Sequence, residues 1–154
     1  PKLPAKKHLR WAAFLQNEEE ADAASILKQL KSDNDTINRT RALVRFVKLP
    51  LLPEKAAVRR VMSQMEPELY DDLLVLKETR QEDISQIRRL TEEIRRAGDC
   101  LSLKSLAVGG QDLMDAGIRP GKAVGETLNR LLELVLDHPE YNQKEILIRY
   151  ALKA

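Results

Sequence analysis

Apolar residues recur along this chain at intervals of three and four, the spacing of one helix face, and no two segments read as a pair of strands. Residues 7–16 carry Leu9, Ala12, Ala13 and Leu15, with Trp11 and Phe14 close by. Asn17 is placed to cap a second helix, whose opening Glu18, Glu19 and Glu20 suit the positive end of its dipole. That helix runs to about residue 31, with Ile26, Leu27 and Leu30 on one face and Lys28 and Lys31 in its last turn. Ser32-Asp33-Asn34-Asp35 is a turn and cap cluster, and a third helix follows to about residue 48 on Ile37, Leu43, Val44 and Val47. Pro50 and Pro53 end it, and Pro53 suits the first position of a fourth helix over about 54–64, with Ala57, Val58, Val61 and Met65 inward. Pro67 opens a fifth, using Leu69, Leu73 and Leu76. A sixth over about 82–97 uses Ile84, Ile87, Leu90 and Ile94 and stops at Gly98.

Beyond a loop over 99–110 the pattern predicts a short helix over 112–116, a turn at Gly117-Ile118-Arg119-Pro120-Gly121, and a helix over about 122–136 on Val124, Leu128, Leu131, Leu132 and Val135. Pro139 breaks it, and Asn142 caps a last helix through Ile146, Leu147 and Tyr150. The expected fold is all-α: a bundle or array of about eight to nine helices. It divides into a helical body over 1–98 and a C-terminal tail over 99–154 that resembles a helix–hairpin–helix.

Composition narrows the class. With 154 residues the chain has a one-domain length, or that of two small domains, and it can bury roughly 68–70% of its unfolded surface. Hydrophobic residues at 43% and charged residues at 32% mark a globular chain, and aromatics at 4% argue against an all-β fold. No apolar run approaches the ~18 residues of a membrane span, and no basic segment leads into the apolar core of a signal peptide. The single cysteine, Cys100, excludes an internal disulfide and a cysteine-rich zinc site, and fits a reducing cytoplasm. The chain starts at Pro1 without an initiator Met, so it reads as part of a longer protein. Net charge is only +2, but residues 1–60 hold thirteen Lys and Arg against seven Asp and Glu. A basic N-terminal third invites a polyanion; solvated helix faces explain the same residues.

Self-contained chemistry is not expected. His8 and His138 stand far apart without ligand spacing, so no metal site is expected, and Cys100 has no histidine placed to activate it. Asp33-Asn34-Asp35 has the D-x-D form of a divalent-ion site, but with no strand or Gly-rich phosphate loop beside it the pair reads as a helix start. Glu82-Asp83 reads likewise as first-turn acid. Binding residues are better represented. Arg41, Arg45 and Lys48 fall at i, i+4 and i+7, one stripe of the third helix. Around the turn at 117–121, Gly117 and Gly121 permit a tight bend, the next helix opens with unpaired N–H groups, Arg119 and Lys122 add charge, and Gly125 leaves room beside the first helical turn. Such a turn suits a phosphate, and it equally suits a plain tight connection between packed helices.

The run Cys100-Leu101-Ser102-Leu103-Lys104-Ser105-Leu106-Ala107-Val108-Gly109-Gly110-Gln111-Asp112-Leu113-Met114, then Gly117-Ile118-Arg119-Pro120-Gly121-Lys122 and Gly125, resembles the C-terminal region of bacterial class II tRNA nucleotidyltransferases, the CCA-adding enzymes. The likeness continues through Leu128-Asn129-Arg130-Leu131-Leu132, Val135, Pro139, Asn142 and Lys144-Glu145, covering roughly residues 100–152. Leu9-Arg10-Trp11-Ala12-Ala13-Phe14-Leu15 resembles the helix that leads, in many relatives, into an HD-type His-Asp pair; Gln16-Asn17 stand there instead, so metal-dependent phosphohydrolysis is not expected. The resemblance implies a body and tail that hold the tRNA acceptor stem and elbow. A separate N-terminal head, with Mg²⁺, ATP and CTP, adds C, C and A. That head's nucleotide-selecting E-D-x-x-R motif is missing here, since Gln86 follows Glu82-Asp83 where Arg would be needed. The implied partners are tRNA and the head, with no cofactor of this chain's own, and a homo-oligomer is also open. Gly117, Arg119, Gly121, Lys122, Gly125, Lys104, Arg130, Arg41, Arg45 and Lys48 are the candidate RNA-binding residues. Folded RNA is read through backbone and shape, and the low aromatic content argues against base stacking on a single strand. The rival readings are a fragment of a bacterial poly(A) polymerase, which shares the architecture, and a helical module that binds DNA or protein.

Overall fold

In a computed structural model of the protein, residues 3–153 are described. Among them lie nine α-helices, two short 3-10 turns and no strand. The helices are α1 (Lys7–Leu15), α2 (Glu20–Gln29), α3 (Asn34–Val47), α4 (Lys55–Ser63), α5 (Pro67–Thr79), α6 (Ser85–Ala97), α7 (Gly110–Asp115), α8 (Lys122–Asp137) and α9 (Lys144–Leu152). The 3-10 turns are Leu103–Ser105 and Pro139–Tyr141. The all-α expectation holds.

The helix ends follow local chemistry, with shifts from the predicted caps. Asp33 caps α3: its carboxylate accepts from the Thr36 N–H at 2.9 Å and the Thr36 hydroxyl at 2.8 Å. The D-x-D pair is thus a helix start, with Asp35 bonded instead to Arg39 one turn on. Asp83 does not enter α6 but caps it, accepting from the Ser85 N–H at 3.0 Å and its hydroxyl at 2.8 Å. Pro67 opens α5 as predicted. Asn17 does not cap α2, which begins after Glu19. Asn142 does not cap α9 either: Gln143 precedes that helix, and Asn142 bridges the Leu103–Ser105 turn by accepting from the Ala107 N–H at 2.8 Å and donating to the Ser105 carbonyl at 3.0 Å. A side-chain amide serves either role, and the choice depends on which backbone lies near it.

Two compact units form. The first takes the chain up to Glu54 and residues 64–90. Its centre is α3, which packs against α1, α2 and α5. Leu9, Ala12, Leu27, Leu43, Val44, Tyr70, Leu73 and Leu76 are buried there, each leucine or valine worth about 1.5–3 kcal/mol against exposure. Asp72 is buried among them, with its Oδ2 2.7 Å from His8 Nε2 and its Oδ1 2.9 Å from Lys6 Nζ, which joins the start of α1 to α5. Lys77 is also buried; its ammonium donates to the Val47 carbonyl at 3.2 Å and the Leu49 carbonyl at 2.8 Å, ending α3 on a cation.

The second unit takes Lys55–Ser63 and the chain from Thr91 onward. Its core is Cys100, Leu106, Val108, Leu113, Leu131, Val135, Leu147 and Ala151. The sequence places a boundary between residues 98 and 99, whereas this unit also takes α4 and residues 91–98. The reason is a buried arginine: Arg59 donates from Nε to Asp99 at 2.8 Å and from Nη1 to the Leu136 carbonyl at 3.0 Å, while Arg60 meets Asp137 at 2.7 Å. Ion pairs between segments remote in sequence leave no periodic signal.

Arg59→Leu leaves the Asp99 carboxylate and a buried carbonyl without their donor, and should cost about 3 kcal/mol in urea unfolding. Asp33, Asp112 and Asp137 are each held below the usual carboxylate range, first by the Thr36 N–H, Lys144 and Arg60 respectively. A carboxylate lowered on folding stabilises above its unfolded pKa and loses that contribution as pH falls. The melting temperature should therefore drop on acidification below about pH 4, and hold nearly level between pH 5 and pH 7 on this account.

Candidate nucleic-acid interface

The α7–α8 connection is built by two glycines and one isoleucine. Gly109 donates its N–H to Asp112 at 2.8 Å, which opens α7. At the other end the Gly117 N–H reaches the Met114 carbonyl at 3.0 Å and the Ile118 N–H reaches the Leu113 carbonyl at 2.9 Å, a Schellman ending with Gly117 at φ 107°. Ile118 then packs onto the core cluster that contains Leu113. Gly121 has φ 100° and ψ −137°, a conformation that side chains disfavour, and turns the chain into α8. A Cβ at Gly110 would stand 3.2 Å from the Val124 side chain, so α7 and α8 meet closely there.

This arrangement exposes the start of α8. The Val124 N–H is bonded to the Gly121 carbonyl at 3.1 Å, so the donors left at the positive end of the helix dipole are the N–H groups of Lys122 and Ala123. Arg119 and Lys122 are both exposed beside them, and Lys122 is 3.4 Å from Glu126 on the same helix. Gly125 lies in the first turns of α8, and a Cβ there would meet nothing within 4 Å. Gly117, Arg119, Gly121 and Lys122 therefore come together in one turn, with Gly125 one helical turn on. Lys104 is exposed on the Leu103–Ser105 turn, which packs on α8. Arg130 lies farther along α8 and donates to the Ala151 carbonyl at 3.1 Å, which holds the end of α9.

The other candidates lie in the first unit. Arg41, Arg45 and Lys48 share a face of α3, but two of them meet the acidic opening of α2: Arg41 is 3.9 Å from Glu20, and Lys48 is 3.8 Å from Glu19 and donates to the Glu18 carbonyl. Arg45 lies 5.4 Å over the Phe46 ring. Glu18, Glu19 and Glu20 thus pair across to α3 as well as complementing their own helix.

Sequence spacing passed over two features. One is the group that Lys6 and His8 form around the buried Asp72. The other is the face of α1 that carries Lys7, Arg10, Trp11 and Phe14; their i, i+3, i+4, i+7 spacing marks a stripe separate from the buried Leu9, Ala12 and Leu15. Where the HD-type pair would stand, Gln16 donates to the Ala13 carbonyl at 2.9 Å and accepts from Arg80 at 3.3 Å. Among the described residues no three His, Cys, Asp or Glu side chains gather as metal ligands.

A family model described as tRNA nucleotidyltransferase domain 2, putative, matches residues 4–151. Over 65 residues, 40% of this chain, the sequence is 40% identical to the CCA-adding enzyme of Ligilactobacillus salivarius (strain UCC118). That match spans 16% of the relative's own length. No solved structure matches.

Gly117→Ala and Gly121→Ala should each lower stability by about 1–2 kcal/mol through backbone strain alone, since neither Cβ meets an atom. Gly125→Ala should instead raise stability by about 0.5–1 kcal/mol, because it removes a flexible residue from an open helix position. Thermal melts of the three variants check both signs.

Proposed function

Because the chain belongs to the tRNA nucleotidyltransferase domain 2 family, we propose that it is the tRNA-holding part of a CCA-adding tRNA nucleotidyltransferase. The exposed start of α8 with Arg119 and Lys122 carries this reading. Amide donors and cations at one turn suit successive phosphates of a folded RNA backbone, which is how double-stranded RNA is recognised. Lys104 extends the same basic surface of the second unit, and Arg130 contributes charge while it ties down α9. Arg41, Arg45 and Lys48 act in the first unit as a weaker attraction, since Glu19 and Glu20 offset part of their charge.

In this reading the chain positions the acceptor stem and elbow of tRNA. The addition of C, C and A, with Mg²⁺, ATP and CTP, belongs to a catalytic head outside this sequence. The likeness to the Ligilactobacillus salivarius CCA-adding enzyme favours CCA addition over poly(A) synthesis. Such an enzyme works in the cytoplasm, and no helix among the described residues is long and apolar enough to cross a membrane.

Arg119→Ala combined with Lys122→Ala should weaken tRNA binding about tenfold at moderate salt and flatten the dependence of log K on log salt by about 1.5. The chain alone should transfer no label from CTP or ATP to a tRNA lacking its CCA end. A double variant with unchanged affinity and salt slope would remove the α8 turn from the interface, and label transfer would place chemistry in this chain.

A further inference from the structure

The first helix is held to its unit from one side only. Asp72 takes Lys6 and His8, and the hydrogen bond to Asp72 raises the Lys6 pKa against the opposing effect of burial. Leu9, Ala12 and Leu15 face the core. What remains is an open groove of about 550 Å³ lined by Ala5, Lys7, Arg10, Trp11 and Phe14. Phe14 is 78% exposed, and Trp11 and Phe14 stand edge to face with ring centroids 6.1 Å apart. In a chain with only 4% aromatic residues, its single tryptophan and one of its two phenylalanines lie together on this surface. A single exposed apolar side chain is ordinary, but two adjoining rings rimmed by Lys7 and Arg10 form a contiguous patch of the kind that marks an interaction site.

Charge selects the partner. Four cations, Lys2, Lys6, Lys7 and Arg10, precede the first acidic residue of the chain, Glu18. At the groove itself Lys7 is shared with Asp33 at 3.1 Å, while Arg10 forms no ion pair among the described residues. Rings set between cations form the recurring platform for unpaired nucleotides: the bases stack on the rings and the phosphates follow the charges. An apolar protein surface would leave Arg10 facing it without an anion. We infer that the Lys7–Arg10–Trp11–Phe14 face of α1 binds a single-stranded stretch of RNA by stacking its bases on Phe14 and Trp11, with Arg10 on the adjoining phosphate. Low aromatic content is no obstacle, because one pair suffices when both rings reach solvent. This site does not rest on the α8 turn, which recognises backbone alone.

Trp11 is the only tryptophan, so its fluorescence reports on this face directly. The chain is titrated with a 12-nucleotide single-stranded oligoadenylate and, in parallel, with a 12-base-pair RNA duplex. The single strand should quench Trp11 saturably, the duplex much less. Phe14→Ala, at a position too exposed to unsettle the core, should weaken the single strand about tenfold. Arg10→Gln should lower its salt slope by about 0.7. Circular dichroism should show both variants folded. The Arg119→Ala, Lys122→Ala variant should retain full quenching, which separates failure of this site from failure of the tRNA reading. Absence of quenching, equal quenching by duplex, or unchanged oligonucleotide affinity in both α1 variants would overturn the inference. So would a dimer in sedimentation that Phe14→Ala splits without loss of oligonucleotide binding, since the face would then be a protein contact.

Discussion

Ile118 packs onto the apolar cluster around Leu113, Leu131 and Val135, and the α7–α8 connection depends on that contact. With the isoleucine drawn inward, the neighbouring Arg119 and Pro120 stay at the surface, and the chain can re-enter a helix only through the positive φ of Gly121. Lys122 and Ala123, which open α8, are left exposed by a hydrophobic contact four residues before that helix begins. Donors of this kind need no buried charge: they are backbone groups, held by the apolar packing beneath them.

Charge is distributed by the same logic. Buried cations in both units end on carbonyls or carboxylates: Lys77 on Val47 and Leu49, Arg59 on Asp99 and Leu136. Among the surface cations, Arg41 and Lys48 are partly neutralised by the opening of α2, whereas Arg119 and Arg10 are exposed and outside any ion pair among the described residues. A surface ion pair contributes little to stability, but it does reduce the attraction a cation offers to RNA. The two exposed arginines are therefore less neutralised than the longer stripe on α3, and each sits beside a second chemistry: the Lys122 and Ala123 amides at α8, aromatic rings at α1.

The acidic residues of interest all proved to be structural. Asp33 and Asp83 cap helices, Asp112 closes the start of α7, and Asp72 joins α1 to α5. Carboxylates engaged in this way are committed to the fold. His8, in the first turn of the helix that resembles the start of an HD-type motif, meets the buried Asp72, and the pair anchors that helix end.

The sequence by itself determined the helices, because periodicity of three and four, prolines at helix starts and glycines after helix ends are local signals that act on the backbone within a few residues. It determined the turn at Gly117–Gly121 for the same reason, and the motif resemblance pointed to the family. Only the tertiary structure decided that α4 joins the C-terminal unit, that Asn142 bridges a turn rather than capping α9, that Glu19 and Glu20 reach α3, and that Phe14 faces water. Periodicity tells which side of a helix is apolar, but the neighbour that covers it, and the charge that meets each cation, come from segments tens of residues away whose distances no local pattern encodes.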